Sequence, residues 1–197
     1  MSPAHVLEPT YRRLKREIME GVRPAGSKLE ALRLADDFDV SMTPVRDSLN
    51  RLVGEGLVEL TPGEGFRAAA LGEQELRDIL EVNLALLRHG LDSKWSFAAG
   101  SNETPAPEGY ASRVAGALRE VAAGSGNRFL VRLVEQLNDR LHMVRRLEPA
   151  ILPDAEAYLS MLEQSLQSGD RDRRHALLRY HEQSVAQVPH LIAALLD

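Results

Sequence analysis

Between residues 39 and 60 the chain reads DVSMTPVRDSLNRLVGEGLVEL, in which Val45, Leu49, Leu52 and Val53 fall on one helical face while Arg46, Asn50 and Arg51 lie outward. An Arg on the outer face of a helix can donate two parallel hydrogen bonds to guanine O6 and N7, provided the helix enters a DNA major groove. The plain alternative is a solvated Arg paired with the neighbouring Asp47. Ser41 and Thr43 stand where this helix begins, so their hydroxyls and the first amides can hold phosphate or cap the helix, and the two roles can coexist. Pro44 fits the first turn, where its missing N–H costs nothing because the first four helix donors have no intrahelical acceptor.

Other chemistries find little support. With no Cys, disulfides, thiolate catalysis and Cys zinc sites are excluded. There is no Gly-rich phosphate loop, nucleophile elbow or HExxH, and the His and acidic residues form no catalytic pattern, so an enzyme is the weaker reading.

The elements that would position Arg46 follow from periodicity and turn residues. YRRLKREIMEG places Tyr11, Leu14 and Ile18 at helical spacing, and Gly21 stops the helix. VRPAGSKL is turn chemistry around Pro24 and Gly26; Leu32, Ala35 and Phe38 mark a short second helix, closed by Asp39. The third helix starts near Ser41 or Thr43, and GEGLVEL and FRAAA flank TPGEG as a two-stranded hairpin with a Gly-rich tip. Three short helices and a hairpin make a winged helix-turn-helix over residues 1–71, the third helix being the one such folds lay in the major groove.

Beyond Leu71 strand signals vanish. Apolar residues at helical spacing (Leu76 to Leu91, Val114 to Val121, Leu130 to Val144, Tyr158 to Ser165, Leu177 to Val188) predict an all-α bundle of roughly five helices over 72–197. Gly126, Pro149, Pro153, Gly169 and Pro189 punctuate it, and SFAAGSNETPAPEGY, residues 96–110, reads as a mobile loop. The fold class expected is therefore mostly α.

The formal net charge of −5 argues mildly against a polyanionic partner, since non-specific nucleic-acid binders are usually basic. Local sorting meets the objection: Arg12, Arg13, Lys15 and Arg16 cluster near the start, and Asp36, Asp37 and Asp39 cluster elsewhere. The apolar share of 44% can bury a core, no apolar run spans a bilayer, and MSPAHVLEPT has no signal-peptide core, so a cytoplasmic protein is expected, with no membrane partner.

At YRRLKREIMEG, PAGSKL, LADDFDVSMTPVRDSLNRL and EGLVEL the sequence resembles the GntR family of bacterial transcription regulators, and the all-α segment behind it is similar to the FadR-type subfamily. The resemblance implies a homodimer on a palindromic double-stranded DNA operator, with a C-terminal domain that holds the dimer together and senses a small metabolite. It implies DNA contacts from Arg33, Ser41, Thr43, Arg46, Asn50, Gly63 and Gly65; for Arg33 a solvated surface role, and for the two glycines simple hairpin geometry, are equal alternatives. The chain departs from the family at Met42, where an Arg is usual, and at the wing tip, which carries Glu64. A winged module used for protein contacts is therefore the second alternative.

Many FadR-type sensor domains hold a metal with an acid and a His four residues apart plus two later His. Here only His181 matches, Tyr158 and Leu159 stand where one His is expected, and Asn83 occupies the place of an Arg that engages carboxylate effectors. His142 and His175 are a possible replacement set, with solvated or core-edge roles as the simpler alternative. The expectation is an organic effector touching Asn83, His142 and His181, or none, and neither a metal nor another cofactor. For His181, beside Tyr180 and Ser184, bonding a neighbouring hydroxyl is the simplest fate.

Overall fold

The computed structural model describes residues 3–92 and 109–196. The chain separates into two compact units, residues 1–71 and 72–197, each with its own core.

In the first unit, helix α1 (Pro3–Met19) buries Tyr11, Leu14 and Ile18 at the spacing read from the sequence. It begins eight residues before Tyr11 and carries Pro9 inside, which withholds one helix hydrogen bond but leaves the run continuous. Helices α2 (Ala31–Phe38) and α3 (Met42–Gly54) meet over a turn in which Asp39 adopts φ 53° and ψ 49°, its N–H returning to the carbonyls of Ala35 and Asp36. That left-handed residue ends α2 and aims the chain into α3. Leu14, Leu34, Val45, Leu49 and Leu52 fill the centre of the unit, all essentially inaccessible.

The sheet has three strands, where sequence signals predicted two. Strands β2 (Val58–Thr61) and β3 (Gly65–Ala68) form the expected hairpin, and β1 (Lys28–Leu29) pairs antiparallel with β3, Lys28 opposite Arg67 and Leu29 opposite Phe66. Two residues are too few to show alternation. The strand exists because the Pro24 to Gly26 turn delivers it to β3, fixed by Gly26 N–H to the Ala68 carbonyl at 2.9 Å and Ala68 N–H to the Ser27 carbonyl at 2.9 Å.

The second unit is all-α among the described residues: α4 (Glu73–Asp92), α5 (Tyr110–Ala123), α6 (Arg128–Ile151), α7 (Ala155–Ser165), α8 (Asp170–Ala186) and α9 (Val188–Leu196). That is one helix more than expected. Val188 does not continue α8: Gln187 leaves helical geometry at φ −101° and ψ 7°, and Pro189 suits the first turn of a new helix. Pro149 does not interrupt α6, which runs on to Ile151. Asn127 caps α6, its side-chain oxygen accepting from the amides of Phe129 at 3.0 Å and Leu130 at 3.1 Å. The loop predicted over 96–110 lies, as far as residue 108, outside the described residues.

Candidate nucleic-acid interface

Helix α3 is held by one face and open on the other. Val45, Leu49 and Leu52 are fully buried, and Ser48 on the same side turns its hydroxyl onto the Pro44 carbonyl at 2.7 Å. Ser41, Met42, Thr43, Arg46, Asp47 and Asn50 are exposed. Ser41 occupies the N-cap position, yet its side chain makes no capping bond, and Thr43 already lies inside the helix. Both hydroxyls, with the unpaired amides of the first turn, therefore stay available to an anion.

The two arginines of this stretch have opposite fates. Arg46 has no hydrogen bond or ion pair to any described residue, so the pairing with Asp47 does not form. Arg51 is tied down: its guanidinium lies 3.5 Å from the centre of the Tyr11 ring, donates to Glu8 at 3.0 Å and meets Glu55 at 3.4 Å. Glu55 also accepts from the Tyr11 hydroxyl at 2.8 Å and from Lys15 at 2.9 Å. Burial, together with the Glu55 carboxylate, pushes the Tyr11 phenol above its usual range. Arg51 thus braces α3 against α1, whereas Arg46 stays exposed with no partner among the described residues.

Elsewhere in the unit the candidates are more constrained. Arg33 is exposed but sits 3.1 Å from Glu30, which also meets Lys28 at 3.3 Å. These three side chains line a shallow pocket of about 140 Å³ with Arg23, Leu29 and Leu34. At the wing tip Glu64 N–H closes a turn on the Thr61 carbonyl at 3.1 Å, with Pro62 and Gly63 in the two central positions. Gly63 (φ 83°) and Gly65 (φ 88°) hold backbone that side chains rarely adopt, although open space surrounds both. Turn geometry alone therefore requires them. Glu64 is exposed, 3.8 Å from Arg67.

In the second unit, Asn83 and His181 meet. His181 Nε2 lies 3.0 Å from Asn83 Oδ1, and Nδ1 lies 2.8 Å from the Leu177 carbonyl. Burial lowers the imidazole pKa to about 4, so at neutral pH the ring is neutral with a single N–H. With that proton on Nδ1 facing Leu177, Nε2 must accept. The Asn83 amide is then turned with its NH2 toward the ring, which also supplies the buried Nδ2 with the partner it otherwise lacks and leaves Oδ1 as the open group. The neighbouring hydroxyls do not serve His181; those of Tyr180 and Ser184 donate to the buried Glu148 carboxylate at 3.0 Å each. His142 is buried on α6, whereas His175 is exposed. Among the described residues no three His, Cys, Asp or Glu side chains converge as metal ligands.

Glu148 belongs to a larger polar cluster. Burial raises its pKa while the nearby Arg145 opposes the rise. Arg145, 1% exposed, donates Nη1 to Asn138 Oδ1 at 2.8 Å, and Asn138 donates in turn to the Ala115 carbonyl at 3.1 Å. Arg145 Nε and Nη2 are buried without a hydrogen-bond partner among the described residues.

Residues 8–67 match the family model described as bacterial regulatory proteins, gntR family. That segment belongs to the GntR family. The chain is 28% identical over 200 residues to the HTH-type transcriptional repressor GlaR of Escherichia coli (strain K12), covering 87% of this chain and 90% of GlaR. It is 33% identical over 81 residues to the HTH-type regulator BphR of Paraburkholderia xenovorans (strain LB400), a match of 41% of this chain and 33% of BphR. Its fold resembles E. coli McbR/YncC, with a TM-score of 0.67 at 20% identity over 96% of this chain and 99% of that one. A GntR regulator from Rhodococcus sp. RHA1 gives a TM-score of 0.68 at 16% identity, over 93% and 97%.

The chain is a DNA-binding transcription regulator of the GntR type. In this GntR regulator the structure brings Ser41, Thr43, Arg46 and Asn50 onto one exposed helix, and pairs Asn83 with His181. Sequence reasoning missed Arg145, Glu148 and Asn138. Their signal was present: they continue the buried row Val134, Asn138, Leu141, Arg145 and Glu148, spaced by three and four residues along α6. Among the described residues no helix is long and apolar enough to cross a membrane.

Proposed function

We propose that this GntR regulator binds a palindromic operator as a homodimer, laying α3 in the major groove. Arg46 and Asn50 face base edges; Ser41, Thr43 and Arg33 hold phosphates; and the glycine turn at Gly63 and Gly65 brings the wing to the minor groove. The observation that carries the reading is Arg46, exposed and without a partner among the described residues on the outer face of α3, while Arg51 is clamped by Glu8, Glu55 and Tyr11. Such a regulator acts in the cytoplasm, and not as an enzyme. Gel shifts with DNA from upstream of its own gene, at several salt concentrations, test it. A log-affinity that falls steeply with log salt supports DNA binding, and a flat response would favour a winged module for protein contacts.

Arg46→Ala should weaken operator binding by about 1–3 kcal/mol in a protein whose unfolding is unchanged, because it removes a base-edge contact from an exposed position. Equal affinity in a folded variant would refute the assignment. The purified protein should be a dimer by light scattering, joined through residues 72–197, since two modules must read half-sites about 34–36 Å apart. A monomer at every concentration would contradict that.

The second unit is proposed to sense a small organic effector. Support comes from Arg145, whose Nε and Nη2 are buried donors without a partner among the described residues, and from Asn83, whose Oδ1 is left open once its amide serves His181. A metabolite with acceptor oxygens for Arg145 and a donor for Asn83 would satisfy both groups; Arg145 lies near enough to His181, the partner of Asn83, for its charge to act on the ring, and His142 shares α6 with Arg145.

A further inference from the structure

Met42 opens α3 and is 41% exposed, an apolar side chain that its own core does not cover. It lies in one row with Arg46 and Asn50, at i, i+4 and i+8 along the same exposed side. The N-terminal residues of a recognition helix are those that reach base edges. Among the four base pairs viewed from the major groove, the thymine 5-methyl is the apolar group that such a residue can meet. Methionine, unbranched and flexible, adapts its tip to a methyl without demanding one geometry.

We infer that Met42 is a specificity-determining residue that reads a thymine methyl group in each half-site, next to the base pair faced by Arg46. The inference rests on α3 being the groove-entering helix, as proposed above. Met42 supplies no charge and no hydrogen bond, so its contribution is preference among sequences at one position, not general affinity for DNA.

The test uses the full-length protein and duplexes enriched by it from a random library. Each thymine of the enriched site is replaced in turn by deoxyuridine, which removes the methyl and keeps every hydrogen-bonding group. One position per half-site is expected to lose about fourfold in affinity, the worth of one apolar carbon removed from water. Met42→Ala should bind the thymine and uracil duplexes equally at that position while keeping the wild-type unfolding midpoint. Absence of any uracil-sensitive thymine, or sensitivity that survives in Met42→Ala, overturns the inference and leaves the DNA reading standing. Failure of the library to enrich any sequence overturns both.

Discussion

Replacing Arg145 by Met lowers the stability of residues 72–197 by about 3–5 kcal/mol at neutral pH, the order of cost of leaving a buried carboxylate without the cation that compensates it; Arg145 acts on Glu148 through its nearby charge, its own hydrogen bond going to Asn138. Arg145 and Glu148 are each 1% exposed and stand one turn apart on α6. The Glu148 carboxylate accepts from Tyr180 and Ser184, but Arg145 is the cation that offsets its burial. Without it the carboxyl must stay charged in a poor environment or take up a proton. The loss should therefore shrink as pH falls, because a protonated Glu148 needs no cation. The double variant Arg145→Met with Glu148→Leu should cost clearly less than the two single changes added, since neither charge is then left alone. Urea unfolding of the four proteins reads this cycle. A single-variant cost below about 1 kcal/mol, or strict additivity, would show that the two charges are not coupled.

The second large effect is acid lability centred on His181. Burial lowers the imidazole pKa from its ordinary 6.5 to about 4. An unfolded chain takes up this proton near pH 6.5, whereas the folded protein refuses it until about pH 4, so within that window the unfolded state binds more protons and stability drops as the pH is lowered. At about 1.4 kcal/mol per pKa unit the contribution is about 3 kcal/mol, present above pH 6.5 and lost as pH drops through 4. Glu148 acts in the opposite sense: its raised pKa makes its contribution greatest in acid and lost as pH rises. Comparison with His181→Gln isolates the imidazole, because Glu148 and the surface carboxylates are common to both proteins. Wild type should lose about 3 kcal/mol more than the variant between pH 7 and 4, as measured by urea unfolding. Parallel pH profiles would mean that His181 is already charged or solvent-reachable in the folded state.

How far the sequence revealed this molecule depends on where each element's partners lie. Helix α3 was legible because Val45, Leu49 and Leu52 mark its buried face within the helix itself, and Asp39 announced the turn before it. The strand Lys28–Leu29 was not, because its only cause is a pairing with residues almost forty positions later. In α6 the expected apolar stripe from Leu130 to Val144 is buried at Leu130, Leu141 and Val144 but only half-buried at Leu133 and Leu137, and Asn138, Arg145 and Glu148 are buried beside it. Polar residues on an inward face defeat a reading that equates buried with apolar. Their partners Tyr180 and Ser184 come from α8, more than thirty residues away, so only the folded bundle shows them as one cluster. Arg46 and Arg51 looked alike on the sequence, and what separates them is Glu8 and Tyr11 of α1, brought beside Arg51 by folding.

The most direct test of the central claim is the affinity of the intact protein for its library-enriched duplex against a scrambled duplex of equal length and composition, measured at one physiological salt concentration. Sequence-specific reading by α3 predicts a preference of at least about a thousandfold, falling by about tenfold or more in Arg46→Ala. A ratio near one, unchanged in that variant, would contradict it.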